Sequence, residues 1–377
     1  VLDLGGLRGI TVDARRLLVT VEPGATLADV DRATVGHGLA VPLGVISGTG
    51  VAGLTLGGGM GWLTRSCGLS LDALVSAEIV TAEGEHVRAS EQENPELFWG
   101  LRGGGGKFGV VSAFTFRARR LPPAILGGNF FYRHPRWKEA LGAFDRWATG
   151  LPEEMTPIIS FLVFPPEFGL GDEAWMVVGF AWAGEDHRPG LDLVEQLRGA
   201  APPDEEEVGA TTWLEWQAAM DGVFPRGSRG YFKNLSFSRL DDDVIDVLVG
   251  FLSEIAWTGT GIDLHLMEGA FGRVPEDATA FPNRSARYWF NIYGFWQNPG
   301  EDARLTAFTR RAYSLMQPSD EHGQYVNFMG AEAGIDAREA ALQTYGPGAF
   351  DRLVELKDRY DPLNLFRRNH NIPPSRG

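Results

Sequence analysis

The sequence predicts an α+β protein of two domains, and three observations carry that prediction. At 377 residues the chain is longer than one hydrophobic core ordinarily serves, so two domains, or one domain split by another, are expected. Up to residue 122 it reads as short strands, short helices and glycine-rich turns, and Pro122-Pro123 then marks a break. From residue 123 to 335 antiparallel-type strands alternate with helices, as in a sheet covered by helices on one face. The other face is left to form a pocket wall.

In chain order, VLDL and LLVTVE are expected to be two short strands within residues 1–22. Pro23-Gly24 breaks them, and Thr26 caps a helix that buries Leu27 and Val30. The stretch SAEIVTAEGEHVRAS alternates as a hairpin turning at Glu83-Gly84. Four glycines precede a strand from Val110 to Phe116. Trp137, Ala140, Leu141, Phe144 and Trp147 fall at helical spacing, as do Val244, Val247, Leu248, Phe251, Leu252 and Ile255 behind Asp241 to Asp243. Strands are expected at 157–164, 174–183, 229–237, 261–271, 286–296 and 323–329. The acidic run Asp204 to Glu207 reads as a solvated loop. Pro347 starts a helix carrying Phe350, Leu353, Val354 and Lys357, which stops near Asp361-Pro362, and an extended FRRNHNIPP follows.

Charge and composition exclude several functions. A net charge of −15 argues against nucleic acid, whose phosphates require a basic face. One cysteine, Cys67, rules out an internal disulfide and a cysteine-cluster metal site, and the seven histidines lack metal-site spacing, so no metal is expected. No apolar run is long enough to span a bilayer, and a cytoplasmic location is expected. The chain opens at Val1 without an initiator Met or a signal-peptide pattern, which reads as a cut in mid-domain that leaves localisation signals out.

The stretch Gly44 to Leu69, GVISGTGVAGLTLGGGMGWLTRSCGL, is crowded with glycine yet nearly uncharged. Such backbone can pass close to a large flat object and aim its amides at it. Gly48, Gly50 and Gly53 match GxGxxG, with Asp72 downstream, which raises a nicotinamide-binding reading. Against that reading, the glycines continue through Gly57, Gly58, Gly59 and Gly61, where a long helix should follow. A glycine-rich turn packed for structure alone is the other alternative.

In its motifs the chain resembles the berberine bridge enzyme-like branch of the vanillyl-alcohol oxidase / p-cresol methylhydroxylase flavoproteins. The matching pieces are DLGGLRGITVD, VEPGATLADV, LGGGMGWLTRSCGLSLD, NPELFWGLRGGGGKFGVV, FPNRSARYWFNIYGFW, YVNF and YDPLNLFRRNHNIPP, in family order. The resemblance implies an FAD-binding domain built from residues 1–122 and a C-terminal return over 336–377, with a substrate domain over 123–335 between them. It implies FAD contacts from Gly48, Thr49, Gly50, Val51, Gly53, Leu54, Gly57, Gly58, Gly59, Ile79, Val80, Asn369 and Asn371. In the family a pyrophosphate-binding loop and a histidine bonded to the flavin come earlier than Val1, so weakened FAD binding by this chain is an expectation. A cysteine that some relatives link to the flavin is replaced at Val45 or Ile46, so no cysteinyl bond is expected and Cys67 reads as a small core residue. Leu54 replaces a family histidine, and Val51 falls where a small residue admits O2, which favours an oxidase over a dehydrogenase. A flavin-free binding module that keeps the fold is the non-enzymatic alternative.

Taking a hydride from an alcohol or amine carbon also requires a base for the proton on oxygen or nitrogen. On a strand over 323–329, Tyr325 and Asn327 would share one face, and Tyr325 matches the family's catalytic tyrosine. Holding its phenolate at neutral pH costs about 4 kcal/mol from a reference pKa near 10, so either nearby donors lower that cost or proton loss accompanies hydride transfer. A buried structural tyrosine is the alternative. Asn291 stands where some relatives carry a Glu or Gln base, and its amide can orient substrate without replacing that base. Trp289 and Tyr293 share its face and form either a wall for an aromatic substrate or ordinary packing, and Tyr231 is a further candidate. Asn369 and Asn371, apart from the resemblance, are ordinary loop residues. Lys107 stands where a small polar residue is expected.

Overall fold

The computed structural model describes residues 2–223, 227–257, 260–321, 323–330, 334 and 336–376. Two antiparallel sheets dominate it. The smaller has five strands in the order Ile10–Asp13, Leu18–Val21, Val110–Arg117, Leu74–Val80 and His86–Ser90. The hairpin of the last two turns at Gly84, whose φ of 83° only glycine adopts freely. Thr26 and Asp29 close a capping box on the helix Leu27–Val35. The first expected strand is displaced: the described residues Leu2 to Leu4 form none, and ITVD pairs with the Leu18–Val21 strand instead.

The core beneath this sheet joins distant segments. Val19, Val21, Phe114 and Phe116 cluster with Leu97 and Phe98 of the helix Pro95–Leu101 and with Phe350, Leu353, Leu356 and Ile372 from the C-terminal region. The C-terminal helix Ala337–Tyr360 is broken at Gly346 (φ 73°, ψ 165°), so a second segment starts at Pro347, the helix start expected from sequence.

The larger sheet has seven strands in the order Glu205–Thr211, Ile125–Tyr132, Ala174–Trp182, Met155–Val163, Thr260–Leu266, Tyr288–Trp296 and Arg229–Phe237. Helices Trp137–Ala148, Arg188–Ala200, Asp242–Leu252 and Asp302–Met316 pack on one face. Ile159, Phe161, Ile262, Leu264, Phe290 and Ile292 point into that layer, so alternation sends Ser160, Asp263, His265, Asn291 and Tyr293 to the other face. That face is not left to solvent. Met60 and Leu69 of the glycine-rich stretch, and Leu71 just beyond it, pack there against Phe281, Trp289 and Tyr325, while Trp62 packs with Trp213 and Trp216.

Three expectations are corrected here. The acidic run is not a loop: Glu205 to Glu207 begin the edge strand, where exposed carboxylates discourage pairing with another chain. The strand expected over 261–271 ends at Leu266, and the helix Ala270–Arg273 follows. No strand forms over 323–329. Tyr325 is extended and leads into a 3-10 turn, Val326–Phe328. Asn234 replaces a strand partner by accepting from the Tyr325 amide (2.7 Å) and donating to the Tyr325 and Phe328 carbonyls (3.0 and 2.9 Å).

A buried carboxylate ties the two sheets' regions together. Asp31, on the Leu27–Val35 helix, accepts from Trp213 Nε1 (2.8 Å) and Gln217 Nε2 (3.3 Å), and Gln217 also donates to the Gly44 carbonyl (3.2 Å). Burial outweighs these donors and pushes the Asp31 pKa up to about 6. A raised carboxyl pKa means that the folded state holds its proton more tightly than the unfolded chain. Wild type therefore loses stability relative to Asp31→Asn as pH rises from about 4 to about 6, by on the order of 3 kcal/mol in total. Chemical denaturation of both proteins at pH 4 and pH 8 checks this, and a pH-independent difference between them would remove the titration.

Candidate active site

The site lies where the glycine-rich stretch meets the uncovered face of the large sheet. Tyr325 is 1% exposed at this seam. Its hydroxyl oxygen accepts from the Gly59 amide (2.9 Å) and from Asn327 Nδ2 (2.9 Å), and Asn327 Nδ2 also donates to the Leu54 carbonyl (3.0 Å). Tyr325 and Asn327 are thus brought together, through a turn and not through strand alternation. Burial raises the Tyr325 pKa, and the donors at Gly59, Asn327 and Met60 offset only part of that rise. The ring packs against Phe281, Trp289 and Phe328 at centroid separations of 5.7, 6.2 and 5.5 Å.

Asn291 is fully buried, and among the described residues neither of its side-chain polar atoms has a hydrogen-bond partner. Orphaned buried amides are costly and point to a missing ligand or water. Asn291 sits in one row across four strands: Ser160 pairs with Asp263, Asp263 with Asn291 and Asn291 with Asn234. Trp289, in the next row, is fully buried, and its indole N–H has no partner among the described residues. The Tyr293 hydroxyl donates to Asp263 Oδ1 (3.2 Å). Tyr231 is not brought to the site: its hydroxyl accepts from Arg310 Nε (3.0 Å) on the Asp302–Met316 helix, and it lines neither cavity described below.

A cavity of about 1190 Å³ opens beside Tyr325 and is lined by Gly53, Gly57, Gly104 to Lys107, Asn327 and the tail residues Asn369 and Asn371. Gly48, Thr49, Gly50, Val51, Leu54, Gly58, Gly59, Ile79 and Val80 do not line it. Ile79 and Val51 are core residues. The glycines divide by role. A Cβ on Gly57 would lie 2.2 Å from Asn327 Oδ1, and one on Gly61 1.8 Å from the Leu43 carbonyl, so these two serve close packing within the chain. At Gly53 a Cβ would meet nothing within 4 Å, and at Gly106 only Leu56 at 3.6 Å, which leaves backbone open to a bound group. The Asn371 amide oxygen is buried without a partner among the described residues. A cavity larger than most ligand pockets, open glycine backbone and an unpaired acceptor fit a large flat polar cofactor such as the flavin expected above.

Lys107 has a definite task. Its ammonium donates to the Arg368 carbonyl, and Lys357 Nζ donates to the carbonyls of Lys107 (3.1 Å) and Phe366 (2.9 Å). The two lysines pin the tail bearing Asn369 and Asn371 against the glycine loop. Burial, reinforced by the nearby Lys357 charge, pushes the Lys107 pKa down to about 8. Asp263, Ser160 and Asn234 had no place in the sequence reading, although alternation in GIDLHL already put Asp263 and His265 on one face. Cys67 is partly buried and packs beside the Trp62 cluster. Among the described residues there is no metal-binding group of acidic, histidine or cysteine side chains, and no helix is long and apolar enough to cross a membrane.

Two family models match the chain, an FAD binding domain over residues 1–90 and a berberine and berberine-like domain over residues 324–373. An FAD-linked oxidoreductase, pgmH, of Aspergillus terreus is 41% identical over 416 residues, covering 100% of this chain and 79% of that protein. One from Dictyostelium discoideum is 29% identical, covering 99% and 79% respectively. The structure of a xylooligosaccharide oxidase from Myceliophthora thermophila in complex with xylobiose superposes with a TM-score of 0.86 at 26% identity, covering 100% of this chain and 82% of the other.

Proposed function

Since the chain belongs to the berberine bridge enzyme-like FAD-linked oxidoreductases, with FAD as its cofactor, we propose that it is an oxidase that takes a hydride from an alcohol or amine carbon of a small substrate and reduces O2 to H2O2. The observation that carries this reading is the buried Tyr325 hydroxyl, held by two donors at the meeting of the glycine stretch and the sheet face. FAD, when bound, supplies the two-electron acceptor. Gly53, Gly106, Asn369 and Asn371 would hold it in the large cavity, on tail and loop segments pinned by Lys107.

The chain's own groups handle the proton. The Gly59 amide and Asn327 stabilise negative charge on the Tyr325 oxygen, and Tyr325 receives the proton that leaves the substrate's oxygen or nitrogen. Asn234 fixes the Tyr325 backbone, and Asn291 offers a donor and an acceptor to orient the substrate without competing for the proton. The same reading divides the chain into a cofactor region, residues 1–122 with 336–377, and a substrate region, residues 123–335. Val51, fully buried, is the small residue proposed to leave oxygen a path.

The test uses purified FAD-loaded protein and a panel of amines and oligosaccharides. Bleaching of the yellow flavin by a panel member without air, and recovery in air with peroxide release, is the expected result. Bleaching that persists in air would make the protein a dehydrogenase, and FAD-loaded protein that no panel member bleaches would end the oxidase reading.

A further inference from the structure

A second, smaller cavity of about 50 Å³ lies on the same sheet face, with Ser160, Asp263, Tyr293, Trp62 and Trp216 in its lining. The Trp62 and Trp216 rings meet at 5.1 Å with an interplanar angle of 56°. Asp263 is its one carboxylate. Ser160 Oγ (2.6 Å) and the Tyr293 hydroxyl (3.2 Å) both donate to Oδ1, and no described residue donates to Oδ2. The residue is partly buried and keeps the rest of its surface open to the cavity.

The other buried carboxylates here are differently served. Asp72 carries Arg284, Asp361 carries Lys357, and Asp31 has a donor on each oxygen. Asp263 has no cationic partner among the described residues. His265, two positions along the same strand face, does not supply the charge, because burial pushes its pKa down to about 4 and keeps it neutral. A buried carboxyl without a counter-charge is costly, and burial pushes its pKa up to about 6. Above that pH it presents an uncompensated negative charge beside aromatic faces, which attract cations in their own right. The net charge of −15 also draws cations toward the molecule.

We propose that Asp263 is the cation-recognising residue of the substrate pocket, and that the preferred substrate is an amine whose protonated nitrogen sits against Asp263 Oδ2 and the Trp62, Trp216 and Tyr293 rings. The inference rests on the oxidase reading for the fate of that amine, but its binding step does not. A cavity of about 50 Å³ takes the ammonium-bearing head of a substrate and not the whole of it. The ammonium is a binding handle and not the reacting group: the oxidised carbon lies in the remainder, which extends along the row past Asn291, whose amide has no partner among the described residues, toward Asn234 and Tyr325.

Benzylamine, cationic at pH 8, and benzyl alcohol, its neutral counterpart, are titrated without air into the FAD-loaded protein while tryptophan fluorescence is followed. Benzylamine is expected to bind at least ten-fold more tightly. Asp263→Asn, close in shape and still able to accept from Ser160, is expected to abolish that preference. Equal affinities in the wild type overturn the proposal without any need for the variant. A preference that survives Asp263→Asn overturns it as well, as does xylobiose binding that the variant weakens while the amine is ignored. Should amines bind as expected while no panel member ever bleaches the flavin, the oxidase reading falls and the cation site stands.

Discussion

Replacing Tyr325 by Phe is expected to slow substrate-driven bleaching of the flavin by about 10²- to 10⁴-fold, the usual contribution of a positioned acid or base. The amount of flavin bound should not change. Tyr325 does not line the cofactor cavity, and its ring packing against Phe281, Trp289 and Phe328 survives the loss of one oxygen. Burial raises the tyrosine pKa, so the proton-accepting form is the minor one at neutral pH. The bleaching rate of wild type should therefore climb with pH, roughly ten-fold per unit, through the neutral and mildly alkaline range. In Tyr325→Phe that slope should vanish. Rapid-mixing absorbance at several pH values reads both effects, and a variant with unchanged rate and slope would remove Tyr325 from the chemistry.

The largest loss of stability is expected from Arg284→Met. Arg284 is 2% exposed and grips both oxygens of Asp72 at 2.9 Å, while also donating to Thr279 (2.8 Å) and lying over the Phe271 and Phe281 rings. Asp72 follows the glycine-rich stretch and accepts from the Leu69 amide (2.7 Å), so this pair fastens that stretch to the segment leading into the Tyr288–Trp296 strand. Methionine fills much of the arginine's volume but leaves the Asp72 carboxylate without its hydrogen-bonded partner and with only the Arg102 charge nearby, and breaking such a pair costs about 3–5 kcal/mol. Thermal melting should fall by several degrees. The double variant Asp72→Asn with Arg284→Met should recover part of the loss, and a single variant that melts like wild type would show that the pair holds nothing together.

The parts of this fold written in local pattern were legible from sequence. The Thr26 cap, the Glu83-Gly84 hairpin, the helix restart at Pro347 and five of the expected strands follow from spacings within a few residues, and motif resemblance supplied the cofactor class. What the sequence hid depends on distant partners. YVNF alternates like a strand, yet Asn234, 91 residues away, takes up the Tyr325 backbone and lets the chain turn. Ile125–Tyr132, with two glycines at its centre, lacks the usual strand composition and forms because Ala174–Trp182 and Glu205–Thr211 flank it. Tyr231 had the right chemistry on the wrong parity of its strand. Lys107 became intelligible only when the tail was seen to return beside it.

The row Ser160, Asp263, Asn291 and Asn234 has a consequence for how such an enzyme can change. Each of these side chains alternates along its strand with a residue of the helix-covered core, among them Ile159, Ile262, Ile292 and Leu235. Substitutions confined to the row can redraw which molecules are accepted while the packing on the opposite side stays as it is. An insertion or deletion of one residue in any of these strands would exchange the two sides at once. Drift in specificity should therefore proceed by point replacement within the strands, with length changes tolerated only in the connections between them.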